Sequence, residues 1–218
     1  TNIYRKVYKH ICITNMMINF TTEFAEICGI HAGDGYLRCR ERNRGEVQIC
    51  GSLEEKEYYN KHVSVLFNKV FGLEIKTRAF SRGSYGFISF ARKIRETLLE
   101  LGFPSGEKST IVSVPKLILD SNNEELYSRF LRGIFDTDGN LYFKNRKTLN
   151  DYSDFKKKHN YYPVIRITTV SEKLSQDISF MLNKLKIRHS IFSFQPKDIR
   201  DSKKYIIIFI LIVSIALI

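Results

Sequence analysis

One pattern constrains this chain more than any other: a short apolar run closed by aspartate and glycine occurs twice. The first copy is Ile27-Cys28-Gly29-Ile30-His31-Ala32-Gly33-Asp34-Gly35 and the second is Leu131-Arg132-Gly133-Ile134-Phe135-Asp136-Thr137-Asp138-Gly139. Asp34 and Asp138 stand 104 residues apart. A single Asp-Gly after a helical run is a stop and a turn. Two copies within one repeated order of elements indicate an internal repeat, and with it two pseudo-symmetric halves.

Spacing inside each copy says how the halves meet. Gly29 and Gly33 lie one helical turn apart, as do Gly133 and Thr137. Each helix therefore offers a narrow face with little or no side chain, and two such faces let backbones approach closely. The helices are expected to pack together, with Asp34 and Asp138 side by side at one end. Folding alone does not favour that arrangement. A carboxylate at a helix C-terminus costs roughly 0.3–1 kcal/mol, and two carboxylates repel each other. A divalent cation relieves both problems, with the terminal backbone at Gly33 and Thr137 sharing in its binding. Mg²⁺ prefers oxygen ligands, often one or two carboxylates plus substrate phosphate oxygens, and metal-assisted attack on a phosphodiester fits such a site. A calcium loop at Asp136 is excluded, because its sixth and twelfth positions hold Leu141 and Lys147 where glycine and an acid are required.

Apolar periodicity and turn residues predict the order α-β-β-α-β-β-α for the first half. A helix ends near Gly33 with Thr21 or Thr22 as N-cap. A hairpin follows, then a helix over 53–71 closed by Gly72, a second hairpin turning at Arg82-Gly83, and a helix stopped by Gly102 and Pro104. A Pro/Gly/Ser-marked connector leads to a restart. Helix 124–136, strands near 141–146 and 164–169, helix 171–186 and strands near 190–194 and from Tyr205 make the second half. The division expected is an extension 1–19, halves 20–102 and 124–218, and a connector 103–123.

The 218 residues carry 35 Lys and Arg against 23 Asp and Glu, a formal net charge of +12, which predicts an anionic partner, nucleic acid or a membrane surface. The basic residues recur on hairpins. Arg38, Arg40, Arg42 and Arg44 alternate along the first and would share one face of a regular strand. Lys76, Arg78 and Arg82 lie on the next; Lys144, Arg146 and Lys147, then Lys197, occupy the matching places in the second half. A two-stranded ribbon fits a major groove, with arginine reading guanine and lysine mostly meeting phosphate. Four scattered cysteines without zinc spacing fit a reducing, intracellular location, and Cys28 reads as a small core residue. The apolar run Tyr205–Ile218 is shorter than the ~20 residues that span a bilayer, so a buried strand is expected and no membrane partner.

At the doubled motif the chain resembles the LAGLIDADG homing endonucleases, in particular monomeric two-motif members of the archaeal and intein type. "FLRGIFDTDG" is the specific match, "ICGIHAGDG" the looser one, and the connector "GFPSGEKSTIVSVPKLIL" is similar as well. The resemblance implies an α+β fold of two αββαββα halves forming a DNA-binding saddle, and Mg²⁺-dependent cleavage of both strands of a specific duplex. It implies Asp34 and Asp138 as the metal-binding catalytic acids. Members often carry Gln or Lys on the second strand of each half, and Gln48 and Lys93 are the candidates here. Many also carry a lysine three residues before the connector proline, a position held by Val112, with Lys108 and Lys116 on either side. No splicing nucleophile opens the chain and no His-Asn pair closes it, so the expectation is a free-standing protein or an excised endonuclease part. The alternative within the same fold is a non-catalytic nucleic-acid binder, such as an intron maturase acting on intron RNA or a degenerate DNA-binding relative.

Overall fold

A computed structural model describes residues 20–40, 44–145, 161–195 and 205–210. Helix α1 (Thr22–Asp34) starts where the Thr21 hydroxyl accepts from the Phe24 amide and stops at Gly35. It runs straight into β1 (Gly35–Cys39) and β2 (Gly45–Ser52). A 3₁₀ turn (Leu53–Glu55), a short helical piece (Lys56–Tyr58) and a π turn (Tyr59–Val63) lead into α2 (Ser64–Phe71). That helix ends at Gly72, whose φ of 66° suits glycine. Strands β3 (Arg78–Ala79) and β4 (Ser84–Ser89) and helix α3 (Arg92–Glu100) follow. A short helix, α4 (Lys116–Leu119), lies inside the stretch read as connector.

The same order then recurs. Helix α5 (Glu124–Asp138) is capped by Asn123, whose side chain accepts from the amides of Glu125 and Leu126. It runs straight into β5 (Gly139–Asn145), then β6 (Tyr161–Thr169), α6 (Glu172–Lys184), β7 (His189–Phe194) and β8 (Tyr205–Ile210). The two sheets have matching strand orders, β1-β2-β4-β3 and β5-β6-β8-β7, and every pairing is antiparallel. Alternation along β2 buries Val47 and Ile49 against the helices and leaves Gln48 and Cys50 on the outer face. Strand β8 is apolar as expected, with Ile206 and Ile208 in the core; the tail beyond it, 211–218, lies outside the described residues, as does the extension 1–19.

Helices α1 and α5 form the centre of the molecule, and their contact is backbone on backbone. A Cβ on Gly29 would stand 2.2 Å from the Phe130 carbonyl oxygen, and one on Gly133 would stand 2.3 Å from that of Glu26. A Cβ on Gly33 would fall 2.0 Å from Thr137 Oγ1. A buried charge crosses the same contact. Glu26, 1% exposed, accepts from His62 Nε2 at 2.5 Å and Arg129 NH1 at 3.2 Å, and Arg132 Nε lies at 3.5 Å. Three donors around one carboxylate are what a buried charge requires.

Candidate active site

The tight helix crossing decides what lies at its end. Because α1 and α5 approach through glycine, their last residues converge: a Cβ on Gly33 would sit 3.4 Å from the Asp138 carboxyl carbon. The Asp34 carboxylate lies over Gly51 of β2. A Cβ there would meet Glu55 Oε2 at 2.4 Å, Tyr59 Oη at 2.7 Å and Asp34 Oδ2 at 2.8 Å, so glycine is what leaves room for the acids. The Tyr59 hydroxyl donates to Asp34 Oδ2 and fixes that carboxylate.

Lys108 completes the group. Its Nζ donates to the Gly33 carbonyl oxygen at 2.6 Å and to that of Ala32. Val112 and Ile111 amides bond back to the Lys108 carbonyl, a turn that tucks the lysine under the helix ends. Burial pushes the Asp34 carboxyl up to about 6, with the Tyr59 hydrogen bond opposing and the charge of Asp138 reinforcing the rise. Asp138, the more exposed of the two, is also raised by desolvation, and Lys108 pulls it down. Burial lowers Lys108 to about 8 against the upward pull of both aspartates. Two carboxylates and one ammonium thus share a site in which none has its solution affinity for protons. A cavity of about 240 Å³ opens beside them, lined by Lys108, Asp138, Thr168 and Tyr205 among others.

The remaining expected residues divide. Gln48 lies on the outer face of β2, on the same side of the strand as Cys50. Lys93 does not lie on a strand: it belongs to α3, where its ammonium donates to the Phe71 carbonyl at 2.9 Å and caps α2. The Gly33 carbonyl, expected to face a metal, has the Lys108 ammonium as partner, and the Thr137 hydroxyl bonds back to Gly133 and Ile134. Val112 is buried in the core and its carbonyl accepts from Ser171 Oγ at 2.6 Å; the lysine reaching the site stands seven residues before Pro115, not three.

The arginine ladder is interrupted. Arg38 is on β1 and pairs loosely with Glu46 (3.8 Å), but the strand ends at Cys39, so Arg40 and Arg44 lie beyond it. Arg78 is on β3 with its guanidinium 4.9 Å from the Phe80 ring centre, Lys76 lies 3.4 Å from Glu74, and Arg82 sits in the turn with φ 62°. Lys144 falls within β5. Arg42, Arg146, Lys147 and Lys197 lie outside the described residues. Among the described residues no cluster of three or more His, Cys, Asp or Glu side chains could hold a metal, and no helix is long and apolar enough to cross a membrane.

Residues 125–213 match the family described as LAGLIDADG-like domain. The second half of the chain thus carries a LAGLIDADG-like domain. The chain's fold is that of the homing endonuclease I-DmoI. A structure of mesophilic I-DmoI variants aligns with a TM-score of 0.56 at 17% identity, over 88% of this chain and 89% of that one. I-DmoI in complex with DNA and Ca gives 0.55 at 17% identity over 88% and 83%, and its complex with DNA and Mn gives 0.54 at 17% over 87% and 89%. No curated protein matches by sequence. Within this fold the doubled Asp-Gly marks the shared end of the central helix pair.

Proposed function

We propose that this protein is a site-specific DNA endonuclease that hydrolyses phosphodiesters on both strands of a duplex, with Mg²⁺ as cofactor. The observation that carries the reading is the convergence of Asp34, Asp138 and Lys108 at one end of the α1–α5 contact, beneath two sheets of identical topology. The likeness of fold to a protein solved with its DNA supports it. On this reading residues 20–102 and 124–218 are two DNA-reading halves, 103–123 the connector that supplies Lys108, and the working form a monomer inside the cell.

The donor set suits a hard cation: two carboxylates whose proton affinity is raised where they meet. Asp34 and Asp138 would hold Mg²⁺, which supplies polarisation of the phosphate and of an attacking water. Tyr59 orients Asp34. Lys108, poised near neutrality in its proton affinity, holds or releases a proton at Nζ as the leaving oxygen departs. Gln48 stands on the outer face of β2, where it would order solvent beside the scissile phosphate. Arg38, Arg40, Arg42, Arg44, Lys76, Arg78, Arg82, Lys144, Arg146, Lys147 and Lys197 would meet DNA, those on phosphate giving salt-dependent affinity.

The deciding experiment is cleavage of a randomised duplex library with Mg²⁺ by the native protein and Asp138→Asn. Specific double-strand cuts lost in the variant are the expected outcome. Binding without cuts in either protein would leave a non-cutting nucleic-acid binder of the same fold.

A further inference from the structure

The opening at the far end of the first sheet sets an exposed aromatic ring, which the proposed cleavage site does not use, among arginines. It encloses about 460 Å³ between Arg40, Arg44, Glu46, Phe90, Arg92 and Arg95. Strand β1 leaves Asp34 at Gly35 and ends at Cys39, so the opening lies about 17 Å from the acids along the strand. The carboxylate lining the opening, Glu46, already has Arg38 at 3.8 Å. Arg92 Nε reaches Glu96 at 2.7 Å; Arg95, only 5% exposed, donates to the Gly45 carbonyl at 3.4 Å from beneath. Phe90 is 70% exposed, the most exposed large apolar residue described, and its neighbours here are guanidiniums.

An inorganic anion would use the arginines and leave the ring idle; an apolar partner would use the ring and desolvate the Arg40, Arg44 and Arg92 guanidiniums. A nucleotide uses both, with phosphate on the guanidinium forks and the face of its base on the phenyl ring. The volume falls in the range of small-molecule sites. A base inside a duplex is stacked on both sides and has no free face. We propose that this opening binds an unpaired nucleotide of a DNA or RNA strand, with its base against Phe90 and its phosphate on Arg40, Arg44 and Arg92. The site shares Arg40 and Arg44 with the proposed duplex contacts, but its use of Phe90 does not depend on cleavage and stands without it.

The test is equilibrium binding of fluorescein-labelled dT10 and U10, with a blunt duplex for comparison, by the native chain, Phe90→Ala, Phe90→Tyr and Arg44→Ala. Phe90 is exposed, so its replacement is expected to leave the thermal midpoint unchanged. Phe90→Ala should weaken binding of at least one oligomer by about fivefold to a hundredfold, Phe90→Tyr should restore it, and the blunt duplex should be unaffected. Arg44→Ala should flatten the salt dependence on the oligomer. A preference between dT10 and U10 assigns the sugar and supports the site. The inference is overturned if the native chain binds neither oligomer, if Phe90→Ala binds both as the native chain does, or if its loss on the blunt duplex is as large. Absence of duplex cutting by the native chain, with oligomer binding intact, would sink the endonuclease reading and leave this site standing.

Discussion

Lys108 Nζ donates to the carbonyl oxygen of Gly33 at 2.6 Å, placing an ammonium against the end of α1 beside the two acids. Such a cation offsets the negative partial charge of a helix C-terminus and the repulsion between Asp34 and Asp138. Lys108→Met keeps length and apolar stem but removes charge and donors. Cleavage should fall by about 10²–10⁴ with duplex binding retained. The native rate should decline as pH rises through about 8, where the ammonium is lost, and the variant's profile should lack that limb. Single-turnover rates from pH 6 to 9.5 check both.

Asp34, pushed up to about 6 by burial and by Asp138, carries a charge that the folded protein disfavours. The folded state holds its proton more tightly than the unfolded chain does, so this group's contribution falls as pH rises from about 4 to 6. Asp34→Asn keeps an acceptor for Tyr59 and removes the charge. It should raise stability by about 1–2 kcal/mol at pH 7.5 and leave it unchanged at pH 3.5, while abolishing cleavage. Mg²⁺ should raise the melting temperature of the native protein and not of the variant. Thermal denaturation at the two pH values, with and without Mg²⁺, reads each effect.

Gly133→Ala should separate the central helices. Its Cβ would stand 2.3 Å from the Glu26 carbonyl oxygen and 2.7 Å from the Ile30 amide, both backbone atoms that cannot turn aside. A loss of about 3 kcal/mol or more is expected, at the upper end of overpacking costs, and is measured by urea unfolding. Gly72→Ala, with nothing near its Cβ but a φ of 66°, should lose only about 1 kcal/mol.

His31 is fully buried with neither ring nitrogen hydrogen-bonded, its ring edge-on to Phe103 with centroids 4.7 Å apart. Burial, with the charge of Lys108 adding, lowers its pKa to about 3 from an ordinary 6.5. Below pH 6.5 the unfolded chain takes up a proton that the folded one refuses. Stability should therefore fall by about 1.4 kcal/mol per pH unit from this group as the solution is acidified toward pH 3. The equivalent place in the second half is Phe135. His31→Phe should be more stable, increasingly so from pH 6 to 4, and the difference between the two unfolding curves isolates the imidazole.

The helix pair was legible because one-turn spacing of small residues has few other uses, and Thr21 and Gly72 act at helix ends as their residue types dictate. Lys108 was not legible: nothing local distinguishes it from Lys116, and only the turn joining it to Val112 aims it at the acids. Lys93 misled for the same reason, since its contact is the carbonyl end of a helix 22 residues away in sequence. Glu26 gave no signal either. A lone acid on an apolar helix reads as surface, and its donors His62, Arg129 and Arg132 come from elements brought together only by folding. Of the arginine ladder, Arg38 lies on β1, which ends at Cys39, while the Arg40 amide donates to the Arg44 carbonyl at 2.7 Å and Arg42 lies outside the described residues.

The connector is fastened to both halves: Gly106 donates to Leu37 on the edge of β1 at 2.8 Å, while Ser171 at the start of α6 donates to Val112 at 2.6 Å. A covalent tether converts the meeting of the two glycine-faced helices from an encounter between molecules into a step within one chain. Short tethers give effective concentrations in the millimolar range. Pairing of the halves is thereby freed from dilution, and each copy of the ancestral repeat can diverge in sequence without losing its mate.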